Sequence, residues 1–309
     1  MYDVIIIGAG PAGLSAAIYA TRARLDTLVL EQAGPGGQVL TTYEVDNYPA
    51  LPGINGYDLG MKMKEHAVHL GAQIVSEEVR EIVWEENYKC VKTNKAEYGT
   101  KTLIIASGAV HAKLGLEDEE RLSGMGVSYC ATCDGAFYRD GVTAVVGGGD
   151  VALEDAIFLA RLCKKVYLIH RRHELRGARS LQETLLSLPN VEVLWDSVVT
   201  SIQGEEEVEG IAVENCLTKE ITEYPVDGIF IAVGIRPVSQ IFDGLIDLDE
   251  AGYIIAGEDT KTSRQGIFAA GDVRTKPLRQ IVTAVADGAN AVYGVQEYLR
   301  EYSSKGISL

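Results

Sequence analysis

Apolar residues in this chain come in short unbroken runs, each ending on glycine or on one polar residue. The first is Val4 to Ile7, followed at once by Gly8-Ala9-Gly10-Pro11-Ala12-Gly13 and then by an alanine-rich helical stretch from Leu14 to Arg24. A run with no polar interruption suits a parallel strand buried on both faces. The next run, Thr27 to Leu30, stops at Glu31. This order returns later as Thr143 to Val146, the turn Gly147-Gly148-Gly149-Asp150-Val151-Ala152, a helical stretch from Leu153 to Leu162, and Val166 to Ile169, which ends at His170. Towards the C-terminus, Gly266 to Asp272 reads as a short strand closing on Gly-Asp before a loop and a helix.

Strand, glycine turn, helix and strand, twice over, predict an α/β fold with two Rossmann-like dinucleotide-binding domains. In such a turn the first glycine permits the tight bend and the second lets a pyrophosphate approach the backbone. The third lets helix and strand pack closely, while the helix N-terminus stabilises negative charge. Glu31 stands at the distance from Gly8 where an acid accepts hydrogen bonds from an adenosine ribose. His170 stands at the same distance from Gly147, but Arg171, Arg172, Arg176 and Arg179 follow it. Guanidinium groups there suit a 2′-phosphate and favour NADP over NAD. The plainer reading is a solvated basic face that balances Glu174 and Glu183. Gly36-Gly37-Gln38 and Asn47 lie in a loop after Glu31 whose backbone and amide groups could meet an isoalloxazine ring, so the first turn is assigned to a flavin. Asp272 could bind a ribityl hydroxyl or begin a helix beside a pyrophosphate.

Composition narrows the picture. At 309 residues and 47% hydrophobic, the chain can bury two domain cores. A formal charge of −16 argues against nucleic acid as a partner and makes the arginine cluster stand out. The N-terminus lacks the basic start of a signal peptide, and no run has the length of a membrane span. A soluble, cytoplasmic protein is expected.

The segment Cys130-Ala131-Thr132-Cys133-Asp134 carries the chemistry. Two thiols two residues apart can exchange two electrons, and a neighbouring carboxylate can carry the accompanying proton. Half of a zinc site and a pair of inert core cysteines are the competing readings. Cys90, Cys163 and Cys216 are scattered singly, so a closed zinc site lacks obvious ligands, no metal is expected, and those three cysteines are read as structural.

With these motifs in this order, the chain resembles the bacterial low-molecular-weight thioredoxin reductases over essentially its whole length. The matching segments are Gly8 to Gly13, Gly36 to Gln38, Cys130 to Gly135, Gly147 to Glu154, His170 to Arg176 and Phe268 to Asp272. The resemblance implies an FAD domain split into residues 1–111 and 241–309, with an NADPH domain carrying the CxxC inserted at 112–240. It implies tightly bound FAD at Gly8, Gly10, Pro11, Ala12, Gly13, Glu31, Gly37, Gln38, Asn47, Val79, Gly271, Asp272, Arg279 and Gln280. NADPH would be held by Gly147, Gly149, Asp150, Val151, Ala152, His170, Arg171, Arg172 and Arg176.

By the same resemblance Cys133 lies against the flavin, Cys130 attacks the disulfide of thioredoxin, and Asp134 is the acid. A homodimer is implied, as is rotation of the NADPH domain on its two linkers between half-reactions. Two departures stand out. His173 and Leu175 occupy positions where Asp and Phe are common, and Asp150 puts a carboxylate where an incoming pyrophosphate would lie, unless it turns away or caps the helix. Other readings are weaker. A ferredoxin–NADP reductase needs no CxxC, and the flavoprotein partner of a peroxiredoxin would carry a further thioredoxin-like domain ahead of Met1. A ferredoxin-driven thioredoxin reductase would have a decayed second nucleotide turn. A flavin redox sensor that does not turn over remains the alternative from outside the enzymes.

Overall fold

A computed structural model describes residues 1–42, 44–84 and 88–304 of the chain. They form two compact units, one of Met1–Val110 with Arg236–Leu309 and one of His111–Ile235. Among the described residues, no helix is long and apolar enough to cross a membrane.

The first unit is built on a sheet whose order runs Gln73–Ser76, Thr27–Glu31, Tyr2–Ile7, Glu97–Ile105, Lys89–Thr93 and Val79–Trp84. The first four strands are parallel, and the last two are added antiparallel. Ile267–Ala269 pairs in parallel with the C-terminal end of Glu97–Ile105 and so joins the sheet from the far end of the sequence. Both faces are covered, which is why Val4 to Ile7 is apolar at every position. Val4 and Ile6 face the helices Pro11–Arg22 and Ile281–Ser304, while Ile5 and Ile7 pack with Phe242, Ile246 and Ile254. The two helices meet through small residues: Ala12, Ala16, Ala17 and Ala20 are buried, and a side chain on Gly288 would collide with the Ala12 carbonyl.

The helix in this first turn begins at Pro11, three residues earlier than the alanine pattern suggests. Proline is favoured there because its missing N–H would be unpaired in the first turn anyway. The helix of the second unit likewise begins at Asp150 rather than Leu153.

The second unit has a five-stranded parallel sheet in the order Val191–Leu194, Lys165–Ile169, Val142–Gly147, Gly228–Ala232, Val127–Ser128. A separate antiparallel sheet, Ser197–Gln203, Gly210–Asn215 and Ile221–Pro225, shares a core with one face through Val199, Ile202, Ile211 and Val213. The helices Asp150–Ala160 and Arg179–Leu186 contribute to the other core layer, which includes Leu153, Leu159, Leu168 and Leu185.

One ionic group is buried deep in the first unit. Arg274, 1% exposed, grips Asp287, 2% exposed, through two bonds: Nε to Oδ2 at 2.8 Å and Nη2 to Oδ1 at 2.7 Å. Lys276 Nζ and the Gly271 N–H complete the shell of Asp287 at 2.8 and 2.9 Å. Burial pushes the Asp287 carboxyl up, but the bonds from Arg274 and Lys276 outweigh it and hold the group below the usual carboxylate range. Breaking a buried pair leaves its partner uncompensated. Asp287→Ala is therefore expected to destabilise the protein by about 3–5 kcal/mol in urea unfolding. Because the folded pKa lies below the unfolded one, this contribution is complete above the unfolded pKa. It is lost as pH falls through the folded value, so the wild-type advantage over the variant shrinks in acid.

Candidate active site

Each unit carries one glycine turn, and the geometry of the first is set by backbone contacts. Gly8 has φ +102°, and a Cβ there would strike the Ala106 carbonyl. A Cβ on Gly13 would strike the Gly8 carbonyl, so helix and strand approach as closely as backbones can. Above Gly10 the nearest atom to a built Cβ is Gly37 Cα at 3.8 Å, which leaves the face of the turn open. The helix beyond it begins with no side-chain cap, so its first N–H groups are available to an anion.

Glu31 spans the turn: Oε2 accepts the Ala9 N–H at 2.7 Å and Oε1 the Ala33 N–H at 2.9 Å. Each carboxylate oxygen retains a further lone pair for a ribose hydroxyl. The Gly36 N–H donates to the Ala9 carbonyl at 2.7 Å, which draws Gly36, Gly37 and Gln38 against the turn.

One residue far away in sequence arrives at the same place. Gly271, with φ +78°, lies so close to Ala12 that a Cβ would sit 2.8 Å from the Ala12 methyl. Asn47 Nδ2 donates to Gln280 Oε1 at 3.0 Å. The Arg279 guanidinium lies 4.1 Å from the Tyr253 ring centre and donates to the Asp272 carbonyl at 3.4 Å. Among the described residues, Asp272 Oδ1 is buried with no hydrogen-bond partner. Burial raises its carboxyl, against the pull of Lys276 and Arg279. An orphan buried acceptor beside an open glycine turn calls for a donor hydroxyl, which a dinucleotide with a polyol chain supplies. The donor set fits such a group. Val79, at the start of its strand, is half-buried against the core layer that includes Ile5 and Leu28.

In the second unit, a Cβ on Gly147 would lie 2.5 Å from both the Ala232 carbonyl and the Ala152 methyl, while nothing stands within 4 Å of one on Gly149. Gly147 thus packs directly against the methyl of Ala152, the residue at the third small position. Asp150 turns aside: its Oδ1 accepts the Ala178 N–H at 2.6 Å. His170 is buried beneath Gly148, with Nε2 2.9 Å from the Glu174 carbonyl, so its imidazole serves the loop. The N–H groups of Arg176 and Gly177 donate to the Gly148 carbonyl at 2.7 and 3.1 Å and bring the arginine segment to the turn. Arg171, Arg172 and Arg176 are exposed, and among the described residues no carboxylate pairs with them. Arg179 instead pairs with Glu183 at 3.3 Å, and His173 lies 3.9 Å from Asp196. Val151, at the start of the helix, is exposed.

The same unit holds the thiols. The strand Val127–Ser128 feeds Cys130, which starts the short helix Ala131–Asp134, and Cys130 and Cys133 form a disulfide with both residues half-buried. The Cys130 carbonyl accepts the N–H groups of Cys133 and Asp134 at 3.2 and 3.1 Å. Ser128 Oγ donates to Asp134 Oδ2 at 2.6 Å and accepts the Cys130 N–H at 3.1 Å. Burial raises the Asp134 carboxyl and the Ser128 bond lowers it, with a net rise. A carboxyl that keeps its proton to higher pH is suited to proton transfer beside a thiol. Ser128 has no sequence signature. Nor does Glu119, buried and accepting the Leu114 and Gly115 N–H groups and the hydroxyl of Tyr129, the residue before Cys130. No group of residues suited to a metal ion occurs among those described.

Two dinucleotide turns and a redox disulfide beside an acid define a flavin- and nicotinamide-type disulfide oxidoreductase. Residues 2–288 match the pyridine nucleotide-disulphide oxidoreductase family, and the chain belongs to that family. Within it the chain is similar to a thioredoxin reductase of Bacillus subtilis, 44% identical over 97% of this chain and 96% of that one. It is similar also to a thioredoxin reductase of Listeria monocytogenes, at 46% identity over 97% and 95%. The crystal structure of thioredoxin reductase from Streptococcus pyogenes is 46% identical, with a TM-score of 0.94, covering 97% of this chain and 99% of that one.

The two kinds of glycine in the first turn should behave differently. Gly10→Ala puts a methyl on the open face in no more than ordinary contact with Gly37, so the folded chain is expected to keep its far-ultraviolet circular dichroism and lose its bound dinucleotide absorbance. Gly13→Val forces the backbones apart, and its circular dichroism signal should be lost well below the wild-type melting temperature.

Proposed function

We propose that this chain is an NADPH-dependent thioredoxin-disulfide reductase. In this reading the unit of Met1–Val110 with Arg236–Leu309 holds FAD and His111–Ile235 holds NADPH. The single observation that carries it is the Cys130–Cys133 disulfide beside Asp134, whose carboxyl burial raises, on the same unit as an open glycine turn flanked by exposed arginines. The similarity to thioredoxin reductases over nearly the whole chain supports the choice of acceptor. A homodimer working in the reducing cytoplasm accords with the same likeness.

FAD and NADPH, when bound, supply the two electrons that open the disulfide. The rest belongs to the chain. Gly10 and the uncapped N–H groups beyond it receive the flavin dinucleotide's pyrophosphate, Glu31 its adenosine ribose, and Asp272 a hydroxyl of its ribityl chain. Gly149 leaves room for the NADPH pyrophosphate, and Arg171, Arg172 and Arg176 meet its 2′-phosphate with several donors each. The Asp150 carboxylate, held by Ala178, stays clear of that path. Once reduced, the Cys130 thiolate attacks the thioredoxin disulfide and Asp134 gives its proton to the departing sulfur. Cys133 then closes back on Cys130, passing its own proton to Asp134, and the second thioredoxin sulfur leaves and takes a proton from water. The intact second turn and its unpaired arginines favour this reading over a ferredoxin-driven reductase.

A yellow protein that NADPH bleaches and oxidised thioredoxin recolours is the expected result. Bleaching without recolouring by any thioredoxin would leave a redox sensor instead. Cys130→Ser should abolish thioredoxin reduction and leave bleaching by NADPH intact in stopped-flow absorbance. Replacing both Arg171 and Arg176 with alanine should raise the KM for NADPH by roughly tenfold or more, with little change for NADH, since each charge-assisted bond to phosphate contributes about 1.5–3 kcal/mol.

A further inference from the structure

We infer that Ser128 is a positioning residue that holds Asp134 to the backbone of the attacking cysteine, so that the carboxyl stays in place through both of its protonation states. The inference rests on the functional reading above and deepens it. Ser128 is 4% exposed at the end of an edge strand, and it is fixed there by pairing with Phe230. Its single hydroxyl proton has two acceptors in reach: Asp134 Oδ2 at 2.6 Å and the Cys130 carbonyl at 3.4 Å. The shorter bond, to an ionised group, is the stronger and takes the proton while Asp134 is charged. When Asp134 is protonated it can donate to Ser128 Oγ, and the serine proton can turn to the Cys130 carbonyl. The hydroxyl thereby serves both states without movement of heavy atoms.

The exchange keeps its balance. Cys130 gives a proton to water and attacks, and the thioredoxin S–S bond breaks as the mixed disulfide forms. The first departing sulfur takes the Asp134 proton, which is replaced from the Cys133 thiol. Cys133 displaces the second sulfur, which takes a proton from water. Throughout, Ser128 returns its own proton to where it began.

Other titratable groups lie close to this helix. Tyr138, on the following turn, is pushed up to about 12 by burial first and then by Asp134, Glu207 and Asp227. On the helix Asp150–Ala160, which packs against the thiol helix, Asp155 is raised to about 7 by burial and then by Glu154, which is exposed. Burial thus raises Asp155 as it raises Asp134, and Asp155 has to be removed before Asp134 can be followed.

The test uses the full chain in an Asp155→Asn background, oxidised, with infrared titration of buried carboxyl groups; the band lost in Asp134→Asn identifies Asp134. Ser128→Ala removes the bond that lowers this carboxyl, so the midpoint of that band is expected to move to higher pH, and Ser128→Thr, which keeps the hydroxyl, should restore it. In steady-state thioredoxin reduction, Ser128→Ala should lower kcat roughly tenfold, at the low end of acid–base contributions. KM for thioredoxin should stay within about twofold. The alkaline limb of the pH profile should shift upward with the band, a shift that disappears when Asp134→Asn is added. A midpoint unmoved in Ser128→Ala, or moved equally in Ser128→Thr, overturns the inference, as does an even loss of rate at every pH. Should Ser128→Ala not fold, Ser128→Cys, with its weak donor, gives the same comparison. If the wild-type protein reduces no thioredoxin, the functional reading falls, while the infrared titration still decides the role of Ser128.

Discussion

The contact between peptide backbones at the two strand-to-helix turns governs this molecule. In the first unit the Gly13 Cα lies against the Gly8 carbonyl, and in the second Ala152 occupies the corresponding place against Gly147. Contact this close leaves no room for larger side chains, and it sets the pitch at which each helix leaves its strand. The same approach aims the first helical N–H groups at one point above the turn. Gly10 and Gly149 each leave that point open. The anion site is thus a by-product of packing helix on sheet, and it requires no positively charged side chain.

Around the first turn, long-range contacts do the remaining work. The buried Arg274 and Asp287 lie in the stretch that follows the last strand of the sheet, and Asp287 also holds the Gly271 N–H. Charges buried so deeply are weak evidence for stability in themselves. Their consequence here is geometric: the Gly271–Asp272 turn is held close to Ala12. In the second unit the economy is different. Asp150, which from sequence threatened the pyrophosphate, is instead the clamp that closes the Arg176–Ala178 loop over the turn. His170 is packed beneath Gly148 and bonded to the Glu174 carbonyl.

The thiol pair shows how a small loop becomes a site. Cys130 and Cys133 are joined within one helical turn, and neither is deeply buried, so a partner can reach them. Asp134 is half-buried like them, and its burial raises its proton affinity. A carboxyl so placed needs a partner in each protonation state, and among the described residues Ser128 donates to it. The functional assignment and the positioning role of Ser128 thus both follow from the placement of one acid beside one disulfide.

Much was legible in the residues alone. Apolar runs at Val4–Ile7 and Thr143–Val146 identify strands covered on both faces, since only such strands dispense with polar positions. The glycines and the CxxC with its acid are equally plain, because their chemistry depends on neighbours in sequence. The antiparallel additions at Val79–Trp84, Lys89–Thr93 and Ser197–Pro225 carry no comparable signal. Buried and exposed positions are mixed across them, and pairing partners are chosen by the sheet edge that is free. Asn47 with Gln280, Arg274 with Asp287, and Ser128 with Asp134 were likewise beyond sequence, because a hydrogen bond depends on distance and direction. Local order determined which residues could do chemistry. Only tertiary structure decided which of them meet, since the burial that raises Asp134 and orphans Asp272 is a property of everything packed around them.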